Sequence, residues 1–472
     1  MTLRSIVLLL AFAFAAAARA QSSPDAGTPA APDGGTADDQ ALQKELEKAL
    51  QKDASQKPSG GAALPPSALP GNAAAGGGKA EPQSAAARAF QSLNPDLSAI
   101  LDANAGYEHR GVAYRNGDDP DLRGGPDTKG AGFAVQEVEL ALSAVVDPYF
   151  KGEIYLTIPN LSGLEVEEAF ATTTSLPGNF QVKAGSFRSA FGRQNGQHLH
   201  VQDFTRRPLV NAAFLGPDGL RGPGAQVSWL TPLPFYLVLY GEAFSLPSRG
   251  TPATDAAAPV DPVSSFAGGT ATDLTYLGVA KVFVPLADDL SLYAGVSTAR
   301  GVSPGWLGVG LASFTNPSAT GASRRSTVIG ADAYLKYKPL NESQSYFSVA
   351  WQTEAIFRHF EAGSGLADEW DGGLYSQVVM QLSRRWFLGL RGDVLGLPSS
   401  SVMSRVLRGT ASLTFAASEF ARVRAYGEVE SVSSGSGGPF LPTAVAAADP
   451  QSSFAAYLQL EFSIGAHGAH PF

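Results

Sequence analysis

Apolar and polar side chains alternate along most of the chain from Leu97 to the C-terminus. The clearest stretch is 420–432, in which Val423 and Val429 alternate with Arg422, Arg424 and Glu428. A period of two residues is typical of a β-strand that has one apolar and one polar face. Segments with this texture predict sixteen strands, at 97–107, 133–146, 149–158, 164–174, 180–188, 222–231, 235–244, 274–284, 289–299, 329–338, 345–358, 373–382, 386–396, 404–415, 420–432 and 454–465.

The connections between these strands alternate in length. Most fall into a short set of tight turns and a long polar set at 108–132, 189–221, 245–273, 300–328, 359–372 and 433–453. Alternation within strands also fits a soluble sandwich with one wet face. Short turns at one end and long loops at the other instead favour an outer-membrane barrel. We therefore predict an all-β fold, a transmembrane antiparallel up-and-down β-barrel of about 16 strands, with periplasmic N- and C-termini.

Aromatic residues follow most of the tight turns, as Phe180, Trp386 and Phe420 do, and they predict an aromatic girdle at one rim. The apolar strand positions then face lipid, and their polar neighbours face a water-filled lumen. The side chains expected to line the lumen wall are Glu137, Glu139, Glu153, Glu354, Arg391, Arg408, Arg422 and Arg424.

Regions outside the predicted strands have a different texture. Residues 1–20 combine a basic start, a short apolar run and a small-x-small site, which predicts a secretory signal peptide rather than a membrane anchor. Residues 21–96 predict a low-complexity periplasmic segment with a short helix at 38–52, and 97–472 predict the outer-membrane barrel. The terminal Phe472 resembles the aromatic end by which barrel proteins are recognised for assembly.

Composition narrows the chemistry. The chain has no cysteine, which excludes disulfides, thiolate metal sites and cysteine nucleophiles. Its net charge of -9, without a basic block, argues against a nucleic-acid partner. Gly301–Gly305 matches GxSxG, but Pro304 and a Gly-rich loop follow its serine, Ser303, instead of a helix. We expect no enzyme and no cofactor.

The loop after the fifth predicted strand carries most of the candidate chemistry. Within 186–221, a channel constriction is predicted from Arg188, Arg193, His198, His200, Arg206 and Arg207. If this loop folds into the lumen, its cations favour anions. A solvated surface loop is the alternative. Because glutamates on the wall offset the positive charge, the expected selectivity is weak.

Histidine spacing offers a second chemistry. His198 and His200 could lie on one side of an extended segment and hold a divalent cation. Isolated loop histidines are the alternative interpretation, and we predict no metal site beyond this weak candidate. His467 and His470 lie at the opposite chain end and are interpreted as a tail.

The stretch Glu137–Arg193, with its DPYF turn and the later Gly185, Phe187, Phe191 and Gly192, resembles the phosphate-selective porin O/P family. That resemblance implies a trimeric sixteen-stranded porin with a periplasmic segment before the barrel. The lysine-rich ladder of the strictly phosphate-selective members is not evident. The chain also resembles bacterial proteins labelled zinc-regulated TonB-dependent outer membrane receptors, although residues 97–472 are too few for a plugged barrel of ~22 strands.

Three functional hypotheses follow. The first is a porin-like channel for passive diffusion of small hydrophilic solutes or ions, with a weak anion preference. The second is a zinc-linked or TonB-dependent-receptor-like uptake protein, and the third is a structural or adhesive barrel. The expected partners are outer-membrane lipid, the barrel assembly machinery, small solutes or ions, and two further copies of the chain in a homotrimer.

Overall fold

The structure is a computed structural model of the chain. It describes residues 96–109, 120, 130–216, 218–246, 265–266, 273–302, 325–340, 346–361, 368–398, 405–432 and 451–465. The predicted signal peptide, the predicted helix at 38–52 and Phe472 lie outside the described residues.

Sixteen strands form in the described part of the chain. In chain order, β1 to β16 are Asp96–His109, Gly130–Asp147, Phe150–Pro159, Glu165–Thr173, Phe180–Arg188, Arg221–Leu230, Tyr236–Phe244, Thr275–Ala287, Leu290–Val302, Arg325–Tyr337, Ser348–Glu361, Glu369–Ser383, Trp386–Leu397, Val406–Ser418, Ala421–Val432 and Gln451–Gly465. One α-helix, α1, spans Leu209–Leu215, and 3-10 turns occupy Pro177–Asn179 and Leu199–Val201. The described residues contain no helix long and apolar enough to cross a membrane.

The strands close into one antiparallel barrel in which each strand pairs with its neighbours in the chain. Closure joins the two ends of the sequence, with Ser98 opposite Gly465 and His109 opposite Phe454. The last strand therefore pairs with the first, and the sheet has no free edge. The predicted fold class and strand number are confirmed, and the strand ends differ from the predicted ones by a few residues.

Side-chain exposure alternates along the strands, but apolar side chains are the exposed ones and charged side chains are the buried ones, the reverse of a soluble protein. Leu390 and Leu407 are exposed, whereas the neighbouring Arg391 and Arg408 are buried. In water-soluble proteins charged residues are rarely buried, and large apolar side chains usually are. An apolar outer face around a charged interior is the pattern of a barrel that contacts lipid.

The first strand starts, and the last strand ends, at the rim of the barrel that carries the short turns. β1 starts there, β16 ends there, and the turns after β2, β8, β12 and β14 each have two residues. The aromatic side chains near these turns are exposed, and Phe180 stacks on Trp229 with ring centroids 5.7 Å apart. This rim matches the aromatic girdle expected from the sequence.

Candidate functional site

A long connection between β5 and β6 enters the barrel and contacts the inner wall from β2 to β16. We call residues 189–220 the lumen loop. Asn195 closes the base of this loop, since its side-chain amide donates to the carbonyls of Ser189 and Leu220 at 2.9 and 3.0 Å. Its carbonyl oxygen accepts from the Leu220 amide at 2.7 Å. Gly219 has φ +80°, and a Cβ there would meet the Asn195 oxygen at 2.6 Å, so this position requires glycine.

The end of the lumen loop is α1, whose seven residues are all buried. Phe214 of α1 packs in an apolar cluster with Phe187, Phe244 and Ile356 of the barrel wall. The first helical amide, that of Leu209, donates to a carboxylate oxygen of Asp393 at 2.9 Å. A carboxylate at this position satisfies an amide that the helix cannot pair and opposes the helix dipole. The main hydrophobic core of the described chain therefore lies inside the barrel.

Glu354 on β11 anchors the start of the lumen loop. One of its oxygens accepts from the backbone amides of Arg193 and Gln194, both at 2.6 Å. The other accepts from the Asn211 side chain at 2.9 Å. The Arg193 guanidinium lies 3.8 Å from the ring centroid of Tyr334. Because Glu354 accepts from backbone amides, this contact fixes the path of the loop backbone and does not depend on the side chains of Arg193 and Gln194.

Arginines of β13, β14 and β15 form a second contact surface, the arginine face, made of Arg391, Arg408, Arg422 and Arg424. Three of these arginines donate to backbone carbonyl oxygens of the lumen loop. The hydrogen bonds run from Arg391 to Arg206, from Arg422 to His200 and from Arg424 to Gln202. Wall carboxylates lie among them, and the ion pairs are Arg391–Asp393 at 3.0 Å, Arg408–Glu430 at 2.7 Å and Arg422–Glu461 at 2.7 Å. The face is therefore nearly neutral before the loop contributes any charge.

On other strands of the barrel wall, β2 and β4 carry a carboxylate face made of Glu137, Glu139, Glu167 and Glu168. All four side chains are buried. Two β-bulges place them there, because the β1–β2 register skips Gln136 and the β3–β4 register skips Glu167. A bulge adds one residue to a strand and redirects side chains. Glu167 and Glu168 consequently both face inward, although strict alternation would separate them.

His198 and His200 of the lumen loop contact the carboxylate face. His198 Nδ1 lies 3.2 Å from Glu167 and 3.4 Å from Glu139, and its Nε2 lies 2.9 Å from Glu168. His200 Nδ1 lies 3.0 Å from the same Glu139 oxygen. The imidazole centroids are 5.8 Å apart. Arg188 completes the cluster by pairing with Glu167 and donating its backbone amide to Glu168.

Electrostatics at His198 follow from this arrangement. Burial alone would lower the pKa of the His198 imidazole, but the charge of Glu167 and the contacts with Glu139 and Glu168 raise that pKa well above its ordinary value. On the arginine side, burial raises the pKa of Asp203, and the charges of Arg424 and Arg422 only partly offset this shift. A cationic imidazole among several carboxylates reports a strongly negative local potential.

The structure brings the predicted constriction residues into or beside the lumen, but it neutralises most of their charge. Arg188 pairs with Glu167, and Arg206 pairs with Glu428 at 2.9 Å. Arg207 is buried, and both histidines face glutamates. Arg193 alone among the six combines a partly exposed side chain with no acidic ion pair in the described residues. Seven of the eight predicted wall residues are buried, and Glu153 is partly exposed beside Lys151.

Some contributors were not identified from the sequence. Glu168 contacts His198, and Glu428 pairs with Arg206, so both glutamates bind residues of the predicted constriction. The two-residue alternation of apolar and polar positions did not assign Glu168 to the lumen. The adjacent pair Glu167-Glu168 breaks the two-residue period, and this break was the available signal for a bulge. The apolar run Leu209–Leu215 after Pro208 was the corresponding signal for α1.

Comparison with known proteins places the chain among relatives. No protein-family model matches the sequence. A protein of Aquifex aeolicus (strain VF5), described as an uncharacterized protein, is 33% identical over 401 residues, covering 80% of each chain. This chain belongs to the family of that Aquifex protein. The relative's name carries no activity, so membership alone assigns none.

Solved porin structures align with most of the chain at low identity. An anion-selective porin from Comamonas acidovorans is 10% identical, with a TM-score of 0.48, and the match covers 79% of this chain and 99% of the porin. The outer membrane channel DcaP of Acinetobacter baumannii is 12% identical, with a TM-score of 0.48, over 78% of this chain and 97% of DcaP. Because both TM-scores are below 0.5, we take the fold from the strand pairing and draw no functional conclusion from these similarities.

Proposed function

We propose that this chain is an outer-membrane, porin-like channel through which small hydrophilic solutes or ions diffuse passively. The observation that carries this proposal is the closed sixteen-stranded barrel with an apolar exterior and a charged interior. A barrel of this size encloses more space than its own inward side chains fill. The lumen loop crosses that space and contacts the wall from β2 to β16, so it is the constriction.

Planar-bilayer conductance of the purified protein tests this proposal. We expect small, steady currents from the wild type. A variant that replaces residues 196–218 with a short Gly-Ser linker keeps Asn195 and removes α1, and its single-channel conductance should rise severalfold because the wall encloses an aqueous bore. Heat-dependent gel migration confirms that each barrel is closed. If neither the folded wild type nor the folded linker variant carried current, the channel proposal would be wrong.

A weak anion preference is part of this proposal. Arg193 supports it, because its guanidinium remains partly exposed and its neighbour Lys281 lies on the same side of the lumen. In a salt gradient, Arg193→Ala should shift the reversal potential toward cations. Arg206→Gln alters a guanidinium that is paired and fully buried, so it is the matched control and should shift the potential less. Equal shifts would remove Arg193 as the source of selectivity.

Orientation is also proposed. The short-turn rim and both barrel ends of the chain would face the periplasm, because barrels of this class have short periplasmic turns and longer external loops. An epitope inserted at Leu161 or Ser162, in the connection at the opposite rim, should be accessible on intact cells. The same epitope at Asp288, in a short turn, should become accessible only after the outer membrane is permeabilised.

Substrate-gated uptake is the second candidate function. It is favoured by the depth of loop contact, since Arg206 of the loop and its wall neighbours Glu354 and Glu428 are almost completely buried. Such a barrel would conduct only when the loop is displaced. A silent wild type together with a conducting linker variant would favour gated uptake over passive diffusion. The homotrimer stays a prediction, which analytical ultracentrifugation in matched detergent tests.

A further inference from the structure

The contact between the lumen loop and the carboxylate face has the chemistry of a metal centre. Two overlapping sets of three side chains bring one ligand atom each within 4.8 Å of one another. The first set is Glu139, Glu167 and His198, and the second is Glu137, Glu139 and His200. Glu139 belongs to both. Imidazole nitrogen and carboxylate oxygen together are ligands for zinc and related divalent metals.

Distances within the cluster suit a shared ion. Two ligand atoms of one tetrahedral Zn²⁺ are separated by about 3.3–3.6 Å, because each bond is ~2.0–2.2 Å long and the angle between bonds is about 109°. His198 Nδ1 lies 3.2 Å from Glu167 and 3.4 Å from Glu139, and His200 Nδ1 lies 3.0 Å from Glu139. These separations are compatible with ligands around a common centre after small side-chain adjustments.

Glu139 supplies an observation independent of the acidic cluster itself. Its side chain is 1% exposed and points into the lumen between the two imidazoles. Neither of its oxygens receives a well-aligned hydrogen bond from the described residues. Burying a carboxylate in this way is costly unless an opposite charge compensates it. The neighbouring imidazoles offset part of this charge, and a divalent cation bonded to Glu139 would compensate it directly.

The surroundings match the outer shell of a metal site. Metal-binding histidines commonly donate their second ring N–H to a carboxylate, which fixes the tautomer and the ring orientation. His198 Nε2 lies 2.9 Å from Glu168 while Nδ1 faces Glu139 and Glu167. Arg188 in turn holds Glu168 and Glu167. The ring of His198 also packs against Tyr155, with centroids 4.5 Å apart.

We propose that the lumen loop and the carboxylate face bind a divalent transition-metal ion of the zinc type. Glu139, Glu167 and His198 are the principal ligands, and Glu137 and His200 extend the site through the shared Glu139. Glu168 and Arg188 are positioning residues. The four buried carboxylates of this face also attract a divalent cation. Because the ligands come from β2, β4 and the loop, the ion would tie the constriction to the wall.

Direct binding measurement tests this site on the full-length protein in detergent. After treatment with EDTA and dialysis, Zn²⁺ is titrated by calorimetry, and Co²⁺ is added separately to record its visible d–d absorption. We expect saturable Zn²⁺ binding and a Co²⁺ spectrum of low coordination number. Glu139→Gln and His198→Asn should each weaken Zn²⁺ binding by at least about 10-fold and abolish the Co²⁺ spectrum.

Three matched controls locate the ion. Glu153→Gln changes another wall glutamate that belongs to neither ligand set, and His359→Asn changes a histidine that pairs with Asp368. A His467→Asn/His470→Asn variant removes the histidines beyond the described residues. All three should bind Zn²⁺ as the wild type does, and heat-dependent migration checks that every variant forms a closed barrel.

The outcomes separate this proposal from the channel proposal. No saturable Zn²⁺ binding by the folded wild type would overturn the metal site, whatever the conductance. Unchanged affinity in both Glu139→Gln and His198→Asn would also overturn it, because the ion would then bind elsewhere. Loss of binding in those two variants with retention in the controls supports it, even if no current is ever observed in bilayers.

Discussion

The two faces that hold the lumen loop solve the problem of buried charge in opposite ways. On the arginine face, three of the four guanidinium groups, those of Arg391, Arg408 and Arg422, already have ion pairs within the sheet. On the carboxylate face, the wall supplies only acids, and the loop and the end of β5 supply the cations. The first face would remain balanced without the loop, and the second would not.

This difference separates the roles of the two contacts. The arginine face offers donors to loop carbonyls, and it receives one cation from the loop, Arg206, which pairs with Glu428. The carboxylate face requires a positive group from the loop, whether imidazolium or metal ion. We therefore expect the contact at the carboxylate face to depend more on pH and metal ions than the contact at the arginine face does.

The largest expected effect comes from breaking a fully buried pair at the arginine side. Glu428→Gln leaves Arg206 and Arg408 without part of their compensating charge, since both pair with Glu428. Removing one partner of a buried ion pair typically costs about 3–5 kcal/mol. We expect a loss of that size in the free energy of unfolding, measured by urea titration in detergent.

An exposed pair provides the control for Glu428. Arg300 and Glu361 lie 2.7 Å apart, and both side chains are substantially exposed. Glu361→Gln should cost no more than about 1 kcal/mol, because water screens such pairs. Equal losses for Glu428→Gln and Glu361→Gln would contradict the view that the arginine face is a desolvated, structural contact.

An intermediate effect is expected at the carboxylate face. Glu168→Gln weakens the acceptor of the Arg188 amide and removes a charge beside His198. Hydrogen bonds to charged groups contribute about 1.5–3 kcal/mol, so we expect a loss in that range. The exposed Glu165 on the same strand is the control, and Glu165→Gln should change the unfolding free energy little. If the two variants match, the bulge at Glu167 does not create a special contact.

The smallest effect, and a stabilising one, is expected at Asp203. Burial raises the pKa of this carboxyl above its unfolded value of ~3.9, so the contribution of its protonated form is lost as pH rises through the folded pKa. Asn cannot ionise and can still accept from Gln377. Asp203→Asn should therefore match the wild type best in acid and be more stable than the wild type at neutral pH.

Comparing urea midpoints of Asp203→Asn and the wild type across pH tests this sign. A variant that is less stable at neutral pH would show that the arginine face needs the Asp203 charge. That result would weaken the contrast between the two faces, because the arginine face would then also require the Asp203 carboxylate of the loop.

Local sequence rules predicted the barrel well for a physical reason. Alternation along a strand such as β15 is enforced by lipid on one side and polar surroundings on the other, so Arg422 and Arg424 could be assigned inward from the sequence alone. The entry of the lumen loop was one of two interpretations, since its composition suits water as well as the lumen. Its wall partners, such as Glu354 for Arg193, lie more than 150 residues away in the chain.

Bulges limited the prediction of the candidate site. Glu139 follows the alternation, but Glu168 faces inward only because Glu167 is an extra residue in β4. A single insertion changes the face of every residue beyond it, so the identity of the His198 partners depended on a register that no local pattern gives. α1 was missed because a seven-residue helix is stabilised by its surroundings rather than by its own propensity.

Thr205 sets an order of events during assembly. Its hydroxyl donates to Gln459 of β16, and its carbonyl accepts from Gln136 of β2, two strands that flank β1 where the barrel closes. These two contacts can coexist only after the last strand has joined the first. Thr205 is synthesised long before Gln459. The middle of the loop can therefore reach its final position only when the barrel closes.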